Sequence, residues 1–186
     1  MRHLLPLSAT LSLAAVLCAC SPQAIQQQVT GSLQVNSTSA ANGALPERSG
    51  CRGSGVSPQI SWSDPPPGTK SLALIMDDVD APVGHLHRHY YVHWLAFDMP
   101  ADRRDLSEAL RRQPLPDGTQ QGRNDARESG YSGPCPNAGS THHYVISVYA
   151  LDSKLGLPAD TTGGQLLSAI DGHILARGQF PVTYTH

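Results

Sequence analysis

The run Tyr144 to Leu151, YVISVYAL, constrains the fold more than any other stretch of this chain. Successive side chains of a strand point to opposite faces, so Tyr144, Ile146, Val148 and Ala150 share one side and Val145, Ser147 and Tyr149 the other. Both sides are largely apolar, and such a strand belongs at the centre of a sheet that is covered on both faces. Further strands are expected at Leu33 to Ser37, Gln59 to Trp62, Ser71 to Met76, Tyr90 to Asp98, His142 to Leu151 and Val182 to Thr185. These segments are rich in aliphatic and aromatic residues and bounded by Gly, Pro or Asn. The 17 Gly and 15 Pro of the chain punctuate it in the manner of a sheet protein with many turns. Two helices are expected. A short polar one runs from Arg104 to Arg112, and another from Gln165 to Arg177 carries Leu166, Leu167, Ile170, Ile174 and Leu175 on one face. Thr162 with Gln165 reads as a capping box for the second, and Gly178 as its stop.

At 186 residues the chain has the length of one domain with a real hydrophobic core. Its 13 Lys and Arg against 15 Asp and Glu leave a formal charge of -2, and no basic run exceeds a pair. A surface that must neutralise many phosphates of a duplex is therefore not expected, which excludes nucleic acid as a partner.

The N-terminus reads as an export signal. Met1, Arg2 and His3 precede the apolar run Leu4 to Leu17, which is shorter than the ~20 residues a membrane-spanning helix needs. It ends in LCAC, residues 17–20, which resembles the site at which bacterial lipoproteins are cleaved and lipidated. The expected division is a lipoprotein signal peptide at 1–19, a lipidated Cys20 with a flexible polar tether over 20–32, and a folded domain at 33–186. Ser21 after the lipidated position points to the outer membrane, facing the periplasm; a soluble periplasmic product of ordinary signal cleavage is the alternative. Export places Cys51 and Cys135 in an oxidising compartment, where they are expected to form a disulfide.

Three segments carry a family resemblance: SPQISWSDPPPGTKSLALIMDDVDAP at 57–82, HWLAFDMP at 93–100 and GYSGPCPNAGSTHHYVISVYAL at 130–151. In order and spacing they resemble the phosphatidylethanolamine-binding protein family, specifically its bacterial Raf-kinase-inhibitor-like branch, over essentially everything from Leu33 onward. The resemblance implies a mainly β fold, an antiparallel sandwich of a large and a small sheet with a few peripheral helices, one near the C-terminus. It also implies a shallow pocket for a small anion such as phosphate or a phospholipid head group, with no catalysis and no cofactor. Carried over by motif, the ligand-binding positions are Asp78, Asp80, His93, Tyr131, Gly133, Cys135, His142 and Tyr144. Val79 stands where the family has a proline between its two aspartates, and His143 where arginine is usual, so a permanent charge becomes a titratable one.

The residue types suit an anion receptor. Imidazoles, a phenol and backbone amides converging on one point are all donors. A carboxylate beside an anion is unfavourable by itself, so Asp78 is expected to orient a histidine and favour its charged form, which makes binding stronger as pH falls. Gly133 is expected to let the backbone approach the anion closely.

Other readings compete. HLHRHYYVH places His85, His87 and His89 at alternate positions, a pattern zinc can use, but a polar loop with adventitious metal affinity explains it as well, and no metal site is assigned. GYSGP at 130–134 falls one residue short of the elbow of serine hydrolases, and Pro134 and Pro136 exclude the helix that must follow the serine. Contact with an envelope protein such as a protease, through Arg103 to Arg112, is the remaining alternative.

Overall fold

A computed structural model describes residues 31–81 and 91–186. The expected signal peptide, Cys20, nearly all of the tether and the histidines at 85, 87 and 89 lie outside the described residues. The elements in chain order are β1 (Gly31–Ser32), β2 (Val35–Asn36), a 3-10 turn at Glu47–Ser49, β3 (Ile60–Trp62), β4 (Ser71–Asp78), β5 (Tyr91–Pro100), β6 (Asp105–Leu106), β7 (Gln120–Gln121), β8 (Thr141–Leu151), α1 (Gly163–Ile170) and β9 (Ile174–Thr185). They form a six-stranded sheet in the order β1-β9-β8-β4-β5-β7 and a three-stranded sheet in the order β2-β3-β6. All pairings are antiparallel except β1 with β9. No helix among the described residues is long and apolar enough to cross a membrane.

The period-2 pattern of the central strands explains the layering. On β8, Tyr144, Ile146, Val148 and Ala150 face the small sheet and pack with Leu72, Leu74 and Met76 of β4 and with Ile60 and Trp62 of β3. The opposite face, carrying Tyr149 and Leu151 with Ala73, Ile75, Leu95 and Phe97, is covered by Leu166 and Ile170 of α1. The strand apolar on both sides is thus central, as its sequence requires.

Two irregularities sit on β5. Between the pairs Met76–Trp94 and Asp77–Val92 the strand carries one extra residue, His93, so Val92 and Trp94 point to opposite faces although they are two residues apart. A second bulge between Leu72 and Leu74 accommodates Asp98 at φ 54°, and its buried carboxylate accepts the amides of Leu155 at 2.7 Å and Gly156 at 2.9 Å.

The helical expectations need correction. The segment 104–112 forms no helix; it holds the two-residue β6 followed by turns. Two of its three cations are engaged by distant acids rather than by partners one turn away: Arg104 pairs with Asp64 at 2.7 Å and Arg112 with Glu128 at 2.5 Å. The second helix ends at Ile170, because Gly172 adopts φ 77° and Ile174 opens β9. Gly178 is not its stop but lies inside β9, where a Cβ would come within 2.2 Å of the Leu33 carbonyl oxygen that crosses above it. The Thr162–Gln165 pair does mark the helix start, Gln165 Oε1 accepting both the amide and the hydroxyl of Thr162 at 2.9 Å.

A candidate ligand cleft at the open end of the sandwich

The interior face of β4 reads Leu72, Leu74, Met76, Asp78, and that of β8 reads Ala150, Val148, Ile146, Tyr144, His142. Both rows run from apolar to polar towards the same end of the sandwich, where Asp78 lies opposite Tyr144. The bulge on β5 delivers His93 to this end. An open cleft of about 420 Å³ results, lined by Asp78, Tyr91, His93 and His142 on the strands and by Ser132, Gly133 and Cys135 to Asn137 on the loop before β8.

Asp78 is 3 % exposed and organises the floor. Its Oδ1 accepts the backbone amides of Asp80 at 2.9 Å and Ala81 at 3.0 Å, which fixes the turn after β4. Its Oδ2 lies 2.8 Å from Nδ1 of His142 and 3.7 Å from Nε2 of His93. Burial is the largest single influence on the Asp78 carboxyl and pushes it up, but the neighbouring His93 and the hydrogen-bonded His142, joined by the Asp80 amide, outweigh it and hold the group at about 2. On His93, Nδ1 is 2.9 Å from the carbonyl oxygen of Ser132, an acceptor only, so the proton of a neutral His93 sits on Nδ1. His142 is fixed in the same way by the carboxylate, which leaves its Nε2 as the nitrogen able to meet a ligand.

Five of the eight positions expected from sequence, Asp78, His93, Gly133, Cys135 and His142, line this cleft. The other three are placed elsewhere. Asp80 is exposed and its Oδ2 accepts both the amide and the Nδ1–H of His143 at 2.7 Å, contacts that hold its carboxyl low. Tyr131 is buried behind the loop, donating to the Ser49 carbonyl at 2.9 Å and standing edge-on to Trp94. Tyr144 is fully buried beneath the histidines, with its ring edge-on to His93 at 5.3 Å, and burial with the neighbouring Asp78 charge pushes its phenol up.

Packing by itself excludes a side chain at Gly133: a Cβ there would lie 2.7 Å from the Ser49 carbonyl oxygen and 3.2 Å from the Gly50 Cα. The Cys51–Cys135 disulfide forms, with the Cα atoms 5.3 Å apart, and ties the same two segments together at the cleft rim. Tyr91, Ser132 and Asn137 belong to the cleft without having been expected there. Tyr91 packs on His93 with ring centroids 4.9 Å apart, and burial, then the charges of Asp125, Glu128 and Asp78, push its phenol up. Ser132 acts through a main-chain carbonyl, which no side-chain pattern encodes.

A two-sheet β-sandwich covered on one face by a helix, with a carboxylate and two imidazoles at one open end, is the architecture of one family of binding proteins. The chain belongs to the phosphatidylethanolamine-binding protein family, whose sequence model matches residues 35–185. It is 40 % identical over 148 residues to a UPF0098 protein of Aquifex aeolicus, covering 78 % of this chain and 84 % of that one. It is 32 % identical over 139 residues to the UPF0098 protein YbhB of Escherichia coli, covering 73 % and 85 %. Among solved structures, Escherichia coli YbcL superposes with a TM-score of 0.75 at 30 % identity, over 84 % of this chain and 99 % of that one. A homologue from Chlamydia trachomatis gives 0.73 at 34 % identity with the same coverage.

Proposed function

We propose that this protein is an exported, lipid-anchored binding protein whose cleft holds a small anion, a phosphate or phospholipid head group, without converting it. One observation carries the reading: a single buried carboxylate oxygen fixes the tautomer of His142 at 2.8 Å and lies 3.7 Å from Nε2 of His93, whose Nδ1 faces the Ser132 carbonyl. With both histidines neutral this cluster carries one negative charge; protonating both reverses its sign and leaves His142 Nε2–H as a donor. The Tyr91 hydroxyl adds a further polar group at the wall. Anchoring through Cys20 would hold the cleft near a membrane surface rich in such head groups; this part of the proposal rests on the sequence of residues 1–20.

A hydrolase is disfavoured by the surroundings of Ser132. It shares the cleft with the His142–Asp78 pair, but among the described residues no hydrogen bond joins its hydroxyl to either imidazole, and no helix follows it. A protein partner is the second reading, favoured by a separate cleft of about 460 Å³ along residues 103–117 that includes the segment expected to make such a contact.

The test is an NMR titration of the purified protein with inorganic phosphate and with phosphoethanolamine at pH 6 and pH 8. Saturable shifts at His142 and Gly133, stronger at pH 6 and lost in His142→Ala, are expected, with no release of phosphate from the ester. Shifts from phosphoethanolamine alone would assign the head group rather than the free anion. Absence of shifts at both pH values would overturn the receptor reading and favour the protein partner; turnover of an ester abolished by Ser132→Ala would establish a hydrolase.

A further inference from the structure

At the rim of the cleft the disulfide has a third neighbour. One ring nitrogen of His186 and the sulfurs of Cys51 and Cys135 all lie within 4.8 Å of one another. Both cysteines are exposed and His186 is half-buried, so solvent and small solutes reach the group. The three residues come from separate segments, and each is held independently of the S–S bond. The Cys51 amide donates to the Pro134 carbonyl at 2.9 Å, Cys135 sits between two buried prolines, and the His186 amide donates to Ser140 O at 3.1 Å while its own carbonyl accepts the Gly139 amide at 2.7 Å.

The imidazole keeps one nitrogen free of protein hydrogen bonds among the described residues. Nδ1 of His186 lies 2.6 Å from the carbonyl oxygen of Pro136, which only accepts, so Nδ1 carries the proton and the lone pair is on Nε2. A histidine that binds a metal through one nitrogen typically donates from the other to a backbone carbonyl or carboxylate, which fixes the ring.

We propose that reduction of the Cys51–Cys135 bond converts this corner into a two-cysteine, one-histidine site for a soft or borderline cation of the zinc(II) class, with solvent completing the coordination. A dithiol supplies the two electrons and two protons: the S–S bond breaks, two thiols form on the protein, and the dithiol leaves as its own disulfide. The cation then displaces the two thiol protons, forming two metal–thiolate bonds and one bond to Nε2. Two thiolates on one zinc stand about 3.8 Å apart at ordinary bond lengths, so the two sulfurs must move apart from their bonded distance once reduced. Because Cys135 and Pro136 line the cleft, the cation takes over the disulfide's role of tying the cleft wall to the Cys51 segment. Thiolate pairs with imidazole select zinc or copper(I) over magnesium and calcium, which defines the ligand class.

Cobalt(II) reports the site directly. The purified protein, reduced with a phosphine that is then removed under nitrogen, is titrated with Co²⁺ and back-titrated with Zn²⁺. A thiolate-to-cobalt charge-transfer band saturating at one equivalent is expected, absent in the oxidised protein and in Cys135→Ser, and bleached by zinc. Apparent affinity should rise with pH as the two protons are released. His186→Asn, which can still donate to Pro136 O but offers no imidazole nitrogen, should bind at least tenfold more weakly. Near-ultraviolet circular dichroism of each reduced protein establishes that it is folded. A folded reduced protein without the band, a reduced protein that unfolds, or undiminished affinity in His186→Asn would each overturn the proposal. Metal held by other histidines would give no thiolate band and would leave the Cys135→Ser variant unaffected.

Discussion

Nδ1 of His142 and Oδ2 of Asp78 stand 2.8 Å apart across neighbouring strands, and the same oxygen lies 3.7 Å from Nε2 of His93. The carboxylate is nearly inaccessible, so its charge is stabilised by these imidazoles and by two backbone amides rather than by water. This relationship sets the acid stability of the domain, the tautomer of His142 and the electrostatics of the cleft.

The acid limb of stability should report Asp78. An unfolded aspartate titrates near 4, whereas in the fold Asp78 is held at about 2. A depressed folded value contributes stability that is fully present above about pH 4 and is lost as pH falls towards 2, roughly 2 kcal/mol in all. Glu108 is likewise held at about 2, by Arg48 and Ser39, but it is exposed, and screening reduces its share. Urea denaturation between pH 2 and pH 5 should therefore show a slope that flattens in Asp78→Asn; an unchanged slope would assign the acid limb to other carboxylates.

Asp78→Asn should also reverse the preference of His142. The variant amide can still accept from Asp80 and Ala81, but the group then facing His142 is an NH₂, a donor against the Nδ1–H donor. His142 should shift to the tautomer protonated on Nε2, visible in ¹⁵N spectra of the imidazole, and the domain should lose on the order of 1–3 kcal/mol at pH 7 through the mispaired buried polar group.

Gly133 and Gly139 separate packing from backbone conformation. A methyl group at Gly133 would meet backbone at 2.7 Å, so the cleft loop or the Ser49–Gly50 segment must move, whereas Gly139 has open space around it but φ 77°. Gly133→Ala should destabilise by about 1–3 kcal/mol and perturb the amides of residues 49–51, while Gly139→Ala should cost about 1 kcal/mol with only local shifts.

Much of the large sheet was legible because β8 and β4 carry their burial in the side-chain alternation itself. The resemblance of three short motifs led to Asp78, His93 and His142, since a site at strand ends keeps its residues within the strand motifs. What was not legible has physical causes. Strands of two residues, such as β6 and β7, are too short to show a period. The stripe from Leu166 to Leu175 continues at helical spacing across Gly172, and only the left-handed backbone there ends it. The extra residue at His93 is invisible because Val92, Trp94 and Leu95 are all apolar, so the pattern does not reveal which two adjacent positions share a face. The packing of Gly133 against Ser49 and Gly50 was not legible, because sequence indicates that a side chain is excluded but not what excludes it.

The Cys51–Cys135 disulfide closes a loop with a sequence separation of 84 residues, and bonds that close long loops restrict the unfolded chain most. Reduction should lower stability by about 4 kcal/mol, read as a decrease in urea midpoint with an unchanged native circular dichroism spectrum below the transition. Both sulfurs are exposed, so a mild reductant should act on the native protein without prior unfolding. If zinc binds the reduced corner, it stabilises the folded state by mass action, because unfolding separates His186 from both thiols; 100-fold excess over the dissociation constant restores about 2.7 kcal/mol. The reduced protein should thus recover over half of its lost stability on addition of zinc, and the oxidised protein should gain none. A midpoint that does not move with zinc in the reduced state would leave the disulfide as a purely covalent clamp on the cleft wall.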